Sequence, residues 1–175
     1  MDGAVNIFSG GKKASNTLDF CRFMIVPIGQ LTAAESHQMC TEVYHTVEQI
    51  LNNLGRSACI DGDGGFTPNL VSNEEGLAVI VGAVQKAGYK AGEQIALAVE
   101  VAASDYYENG EYNFPGEGFI CTTKEMVEYY VRLVEQYPIF AIQGAMARED
   151  RQGWELLARR LGDKVILVKT QSLRK

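Results

Sequence analysis

The chain has 175 residues, 46% hydrophobic and 22% charged, the balance of an ordinary folded domain with enough apolar material for a sizeable core. A net charge of −6 and a pI near 5.0 argue against general binding to nucleic acid or to an acidic membrane surface. No run approaches the roughly 20 apolar residues of a membrane span and the opening residues carry no secretory signal, so a cytoplasmic location is expected.

A strand is predicted near Val5–Phe8 and a second over Phe23–Ile28. Thr32-Ala-Ala-Glu35 then opens a helix, because its hydroxyl and carboxylate can satisfy amide donors that a helix start leaves without partners. Met39, Val43, Val47, Ile50, Leu51 and Leu54 share one face of that helix, and Gly55 can stop it. Ser72-Asn-Glu-Glu75 opens a second helix through Leu77, Ile80, Val81 and Val84, ending near Gly88. Ile95–Val99 reads as the next strand, and the stretch from Glu108 to Gly118 as an exposed, mobile loop.

Thr122-Thr-Lys-Glu125 opens a third helix with Met126, Tyr129, Tyr130, Leu133, Val134 and Tyr137, which Pro138 breaks. A strand over Ile139–Ile142, a shorter helix with Trp154, Leu156, Leu157 and Leu161, and a strand over Val165–Val168 complete the series. The apolar runs suit strands buried on both faces, and the later alternation of strand and helix predicts a parallel sheet with helical crossovers. At these spacings the aromatic and methionine side chains are core packing. Cys21, Cys40, Cys59 and Cys121 are far apart and form no CxxC pair, so reduced thiols are expected rather than a disulfide or zinc framework. His45 falls within the first helix as a structural residue and His37 near its start as a solvated one; neither sets up a nucleophilic triad.

Two segments carry the most specific signal: Asp61-Gly-Asp-Gly-Gly-Phe-Thr-Pro-Asn-Leu70, and Ile95-Ala-Leu-Ala-Val-Glu-Val-Ala-Ala-Ser104. With Val5-Asn-Ile-Phe-Ser-Gly-Gly11, Arg22-Phe-Met-Ile-Val-Pro27, Glu42-Val-Tyr-His45, Tyr137-Pro-Ile139, Gly153-Trp154 and Leu161-Gly-Asp-Lys164, they resemble enolase in order and spacing, and bacterial forms most. The resemblance runs over nearly the whole chain. It implies an α/β fold: a partial enolase-type TIM barrel of about five strands, strand-strand-helix-helix and then strand-helix repeats. One such domain is expected over residues 1–175. No counterpart is expected for the amino-terminal capping domain or for the later strands, which in the family carry the lysine base and further substrate contacts.

Enolase chemistry removes a proton from a very weak carbon acid while metal ions hold the substrate carboxylate. Magnesium, a hard cation, needs oxygen ligands in a strict octahedron. By resemblance the metal-ligand positions are Glu100, Gln143 and Thr170, where the family has three carboxylates. The glutamate of the family's Gly-Asp-Glu-Gly-Gly loop is Asp63, shorter by the about 1.5 Å of one C–C bond, and a glutamate that assists proton handling is Arg22. Lys12 and Lys13 follow the Gly-Gly turn in place of Ser-His. Arg22, Asp63, Glu100, Gln143 and Thr170 together carry −1, where five acids would carry −5. No catalytic residue and no cofactor is therefore expected; any cofactor would be Mg.

Three arrangements of the altered site stay open. Arg22 can pair with Asp63 or Glu100 and so replace the metal internally. Lys12, Lys13, Arg22 and Lys169 can form a basic mouth for a small anionic ligand. Glu100 and Asp63 can retain weak magnesium binding. The resemblance thus implies a catalytically inactive enolase-like protein acting as a binding, regulatory or assembly module. Its partner would be a second copy or another protein covering the open barrel edge, with no nucleic acid or membrane involved. The alternative is a phosphopyruvate hydratase-type lyase, converting 2-phosphoglycerate to phosphoenolpyruvate, completed by another subunit.

Overall fold

A computed structural model describes residues 3–169. The elements in chain order are β1 (Val5–Ser9), β2 (Arg22–Pro27), α1 (Ala33–Asn53), α2 (Asn73–Lys86), β3 (Ile95–Glu100), β4 (Tyr107–Glu108), β5 (Glu111–Phe114), β6 (Phe119–Thr122), α3 (Thr123–Gln136), β7 (Ile139–Gln143), α4 (Arg151–Leu161) and β8 (Ile166–Val168). A short 3-10 turn, Ala103–Tyr106, joins β3 to β4.

The helix boundaries follow from side-chain chemistry. Thr32 Oγ1 accepts from the Glu35 amide at 3.2 Å while the Glu35 carboxylate accepts from the Thr32 amide at 2.7 Å. Thr122 and Glu125 repeat this box at α3. At α2 the expected box is only half made: Ser72 caps the Glu75 amide, but the Glu75 carboxylate turns to the Val71 amide. Gly55 (φ 65°) and Gly88 (φ 92°) end α1 and α2 in the same way. In each, the residue after the glycine donates back into the last turn: Arg56 to Leu51 O at 2.8 Å and Tyr89 to Val84 O at 3.0 Å.

The main sheet has the order β1-β2-β3-β7-β8. β1, β2 and β3 are antiparallel in succession, whereas β3, β7 and β8 run parallel. The count of intervening helices explains the change. Each crossover helix reverses the chain once, so the pair α1–α2 returns β3 antiparallel to β2, and the single helices α3 and α4 restore parallel pairing. The sheet is open, a partial barrel rather than a closed one. Its helix-covered face supplies Ile7, Phe23, Ile25, Leu97, Val99 and Ile142 to the core, all 2% exposed or less. The opposite face holds Met24, Ala98 and Ala141 in a separate cluster.

The stretch expected as an exposed, mobile loop is a second sheet, order β4-β5-β6. Asn109 and Gly110 both have positive φ, 53° and 86°, the backbone of a two-residue hairpin turn. Tyr112 and Phe114 alternate with Glu111 and Asn113, and both aromatic rings are fully buried. That period-two alternation after an Asn-Gly pair is the local signal for the hairpin. Tyr129 and Tyr130 are core residues, as the helical spacing implies. His45 is exposed near Glu48 (3.6 Å) rather than structural, and His37 is exposed as expected.

Candidate functional site

Strand register builds the site. Ser9 pairs with Arg22, Arg22 with Glu100, Glu100 with Gln143 and Gln143 with Val168, so one row crosses all five strands. Three residues singled out from sequence therefore sit side by side at one end of the sheet. Arg22 opens β2, Glu100 closes β3 and Gln143 closes β7.

Asp63 arrives from the loop after α1. Asp61 Oδ1 accepts from the amides of Asp63 (3.0 Å) and Gly65 (3.1 Å), which spends the Asp61 carboxylate on shaping the turn. The loop is pinned to β1 by Phe66 N to Ile7 O (2.8 Å) and Ser9 N to Phe66 O (2.9 Å). The Tyr44 hydroxyl donates to Gly64 O at 2.8 Å, and its ring stacks on Phe66 with centroids 4.5 Å apart. Gly65 must lack a side chain: a Cβ there would lie 2.5 Å from Asn6 Nδ2 and would also strike Ser9 Oγ.

The consequence is a three-part charge cluster. Arg22 donates through Nη2 to Asp63 Oδ2 at 2.7 Å and through Nη1 to Glu100 Oε2 at 3.3 Å. The Glu100 side chain is 15% exposed, against 39% for Arg22 and 59% for Asp63, so the inner pair is the less screened. The hydrogen bond to Asp63, reinforced by the charge of Glu100, raises the Arg22 pKa further and keeps the guanidinium charged. Burial and then Glu100 push the neighbouring Cys21 thiol up, away from a reactive thiolate. A small cleft of about 380 Å³ opens over Arg22, Asp63, Glu100 and Gln143 and reaches Asn6, whose buried Oδ1 has no hydrogen-bond partner.

The other sequence-selected cations are elsewhere. Lys12 Nζ donates to Asp105 O at 3.0 Å, in a larger cleft between the β1–β2 loop and the turn before β4. Lys13 is exposed. Lys169 lies over the Trp154 ring, 5.3 Å from its centroid, in a third cleft. Thr170 lies outside the described residues. Sequence reasoning passed over the buried carboxylate Asp19, which accepts from the amides of Gly116 and Glu117, and Asn73, whose side chain accepts from the Phe20 amide. No local pattern announces either residue, since their partners are distant in sequence.

A family model described as "Enolase, C-terminal TIM barrel domain" matches residues 3–173. The chain belongs to the enolase family. The open sheet with its antiparallel start and parallel continuation is part of that barrel. Enolase-family chemistry makes magnesium the ion to test against this donor set, and the donors do not fit it. Both carboxylates are held by Arg22, Gln143 offers only a neutral carbonyl, and a divalent ion between them would have to displace a guanidinium. Among the described residues, no group of three or more His, Cys, Asp or Glu side chains is placed to hold a metal ion.

Proposed function

We propose that this enolase-family chain is catalytically silent and serves as a binding, regulatory or assembly module. The observation that supports the reading best is the position of Arg22. It lies between Asp63 and Glu100, in strand register with Glu100 and two strands from Gln143. A lyase of this family needs concentrated negative charge there to hold metal. A cationic side chain hydrogen-bonded to both acids supplies neutralisation without an exchangeable ion. It also leaves no open coordination position for a substrate carboxylate.

An assembly role draws on the sheet edge. Among the described residues β8 has no strand on its outer side, and Ile166 on it is 51% exposed. The competing reading is a phosphopyruvate hydratase-type lyase completed by another subunit. A coupled assay with 2-phosphoglycerate and excess Mg²⁺ separates the two, run beside calorimetric titration of Mg²⁺. The proposal expects neither turnover nor stoichiometric Mg²⁺ uptake. Turnover that Glu100→Ala abolishes would overturn it.

A further inference from the structure

A local reversal of charge lies away from Arg22, between α4 and the end of β8. Arg148 in the loop after β7, Arg151 in the first turn of α4, and Lys169 just beyond β8 line one cleft of about 620 Å³. Three cations facing one concavity stand out in a chain of net charge −6. The acid that shares the lining, Glu155, is drawn to Arg159 one turn along α4, at 3.7 Å. Among the described residues neither Arg148 nor Arg151 has a carboxylate within ion-pair distance.

Hydrogen bonds fix the walls. The indole Nε1 of Trp154 donates to Ala147 O at 2.9 Å, holding the largely buried ring, and Lys169 Nζ lies over it at cation–π distance. Ser104 Oγ accepts from the Arg148 amide at 3.2 Å, setting where the loop presents that side chain. Met146, Ala158 and Leu167 add an apolar wall.

We infer that this cleft binds a small organic dianion, its charged head between Arg148, Arg151 and Lys169 and its apolar body against Met146, Ala158 and Leu167. Three positive charges beside one negative match a dianion better than a monoanion. Guanidinium forks pair bidentately with both phosphate and carboxylate. The volume falls in the range of about 300–1,000 Å³ typical of small-molecule sites. This cleft and the one over Arg22 share no lining residue, so the dianion site stands whether or not the enolase chemistry is silent.

Trp154 is the chain's single tryptophan, so its fluorescence reports directly on the cleft. Phenyl phosphate, phthalate and benzoate are titrated at constant ionic strength, the first two separating phosphate from dicarboxylate heads. Saturable quenching or enhancement is expected for at least one dianion, with benzoate about tenfold weaker or worse. Arg148→Ala and Arg151→Ala each weaken that dianion by about tenfold or more, as loss of a charge-assisted contact implies. Lys86→Ala, at the exposed end of α2 and outside the lining of this cleft, leaves the curve unchanged. Both arginines are exposed, so an unchanged melting temperature verifies folding of the variants; should either alanine variant unfold, Arg148→Gln and Arg151→Gln are measured instead. No saturation by either dianion up to about 10 mM, or equal affinity in native and arginine variants, overturns the site.

Discussion

Arg22→Gln tests whether the guanidinium holds the two acids together. The substitution keeps a polar side chain but shortens it, removing the positive charge together with both Nη contacts. The contact with Asp63, at 2.7 Å, joins groups that are each more than a third exposed, so it contributes about 0–1 kcal/mol. The contact with Glu100 is longer, 3.3 Å, but that carboxylate is only 15% exposed. Its loss belongs near the low end of the about 1.5–3 kcal/mol for a hydrogen bond to a charged group. A total of about 2 kcal/mol follows, which for a chain of this length lowers the melting temperature by about 4–8 °C. Thermal unfolding followed by far-UV circular dichroism reads the shift directly. The double variant Arg22→Gln with Glu100→Gln should recover more than half of the loss, because the uncompensated inner charge is gone. A melting temperature unchanged within about 1 °C in Arg22→Gln would refute the ion-pair account, and so would failure of the second substitution to rescue.

Gly65→Ala places a Cβ against Asn6 Nδ2 and Ser9 Oγ and should cost about 1–3 kcal/mol in urea unfolding, since the loop is pinned to β1 on both sides of the clash. Tyr112→Phe removes a buried hydroxyl that donates to Asp150 (2.8 Å) and accepts from the Ala147 amide (3.0 Å); the amide left without a partner sets a loss of about 1–3 kcal/mol, measured the same way. Burial raises the Glu117 carboxyl above its ordinary 4.5 despite the Asn73 amide that donates to it. The folded state therefore holds a proton that the unfolded state has released, and this group's contribution to stability declines as pH rises from 4.5 through the raised value. Glu117→Gln keeps the acceptor and removes the titration, so its stability advantage over the native chain should grow with pH across that window; an advantage that is flat in pH would contradict the assignment.

Local chemistry was legible where partners are near in sequence. The boxes at Thr32 and Thr122 and the stop at Gly55 are short-range events, and all three are present in the structure. The hairpin at Asn109-Gly110 was equally local; its polar surroundings obscured the alternation of Tyr112 and Phe114. The site divides in the same way. Resemblance selected Arg22, Asp63, Glu100 and Gln143, and strand register and the Asp61 turn bring them together. The proposed basic mouth was not legible, because the direction a long side chain takes depends on its tertiary neighbours. Lys12 turns to Asp105 O and Lys169 to Trp154, so the cations open onto different clefts. The Asp19 and Asn73 contacts link residues more than 50 positions apart and leave no trace in any window of sequence.

A guanidinium and a metal ion between two acids differ in more than charge. A magnesium ion neutralises its ligands and keeps coordination positions for water or substrate. Arg22 spends two terminal nitrogens on Asp63 and Glu100, and its remaining donors lie in the plane those bonds have already fixed. A ligand carboxylate approaching from the cleft therefore meets one committed cation flanked by two acids, and the net charge there repels it. Arg148 and Arg151 present the opposite arrangement, with exposed forks and no carboxylate in ion-pair reach among the described residues. Any anion recognised by the described part of this chain is thus better served at the Trp154 cleft than at the row of Arg22, Glu100 and Gln143.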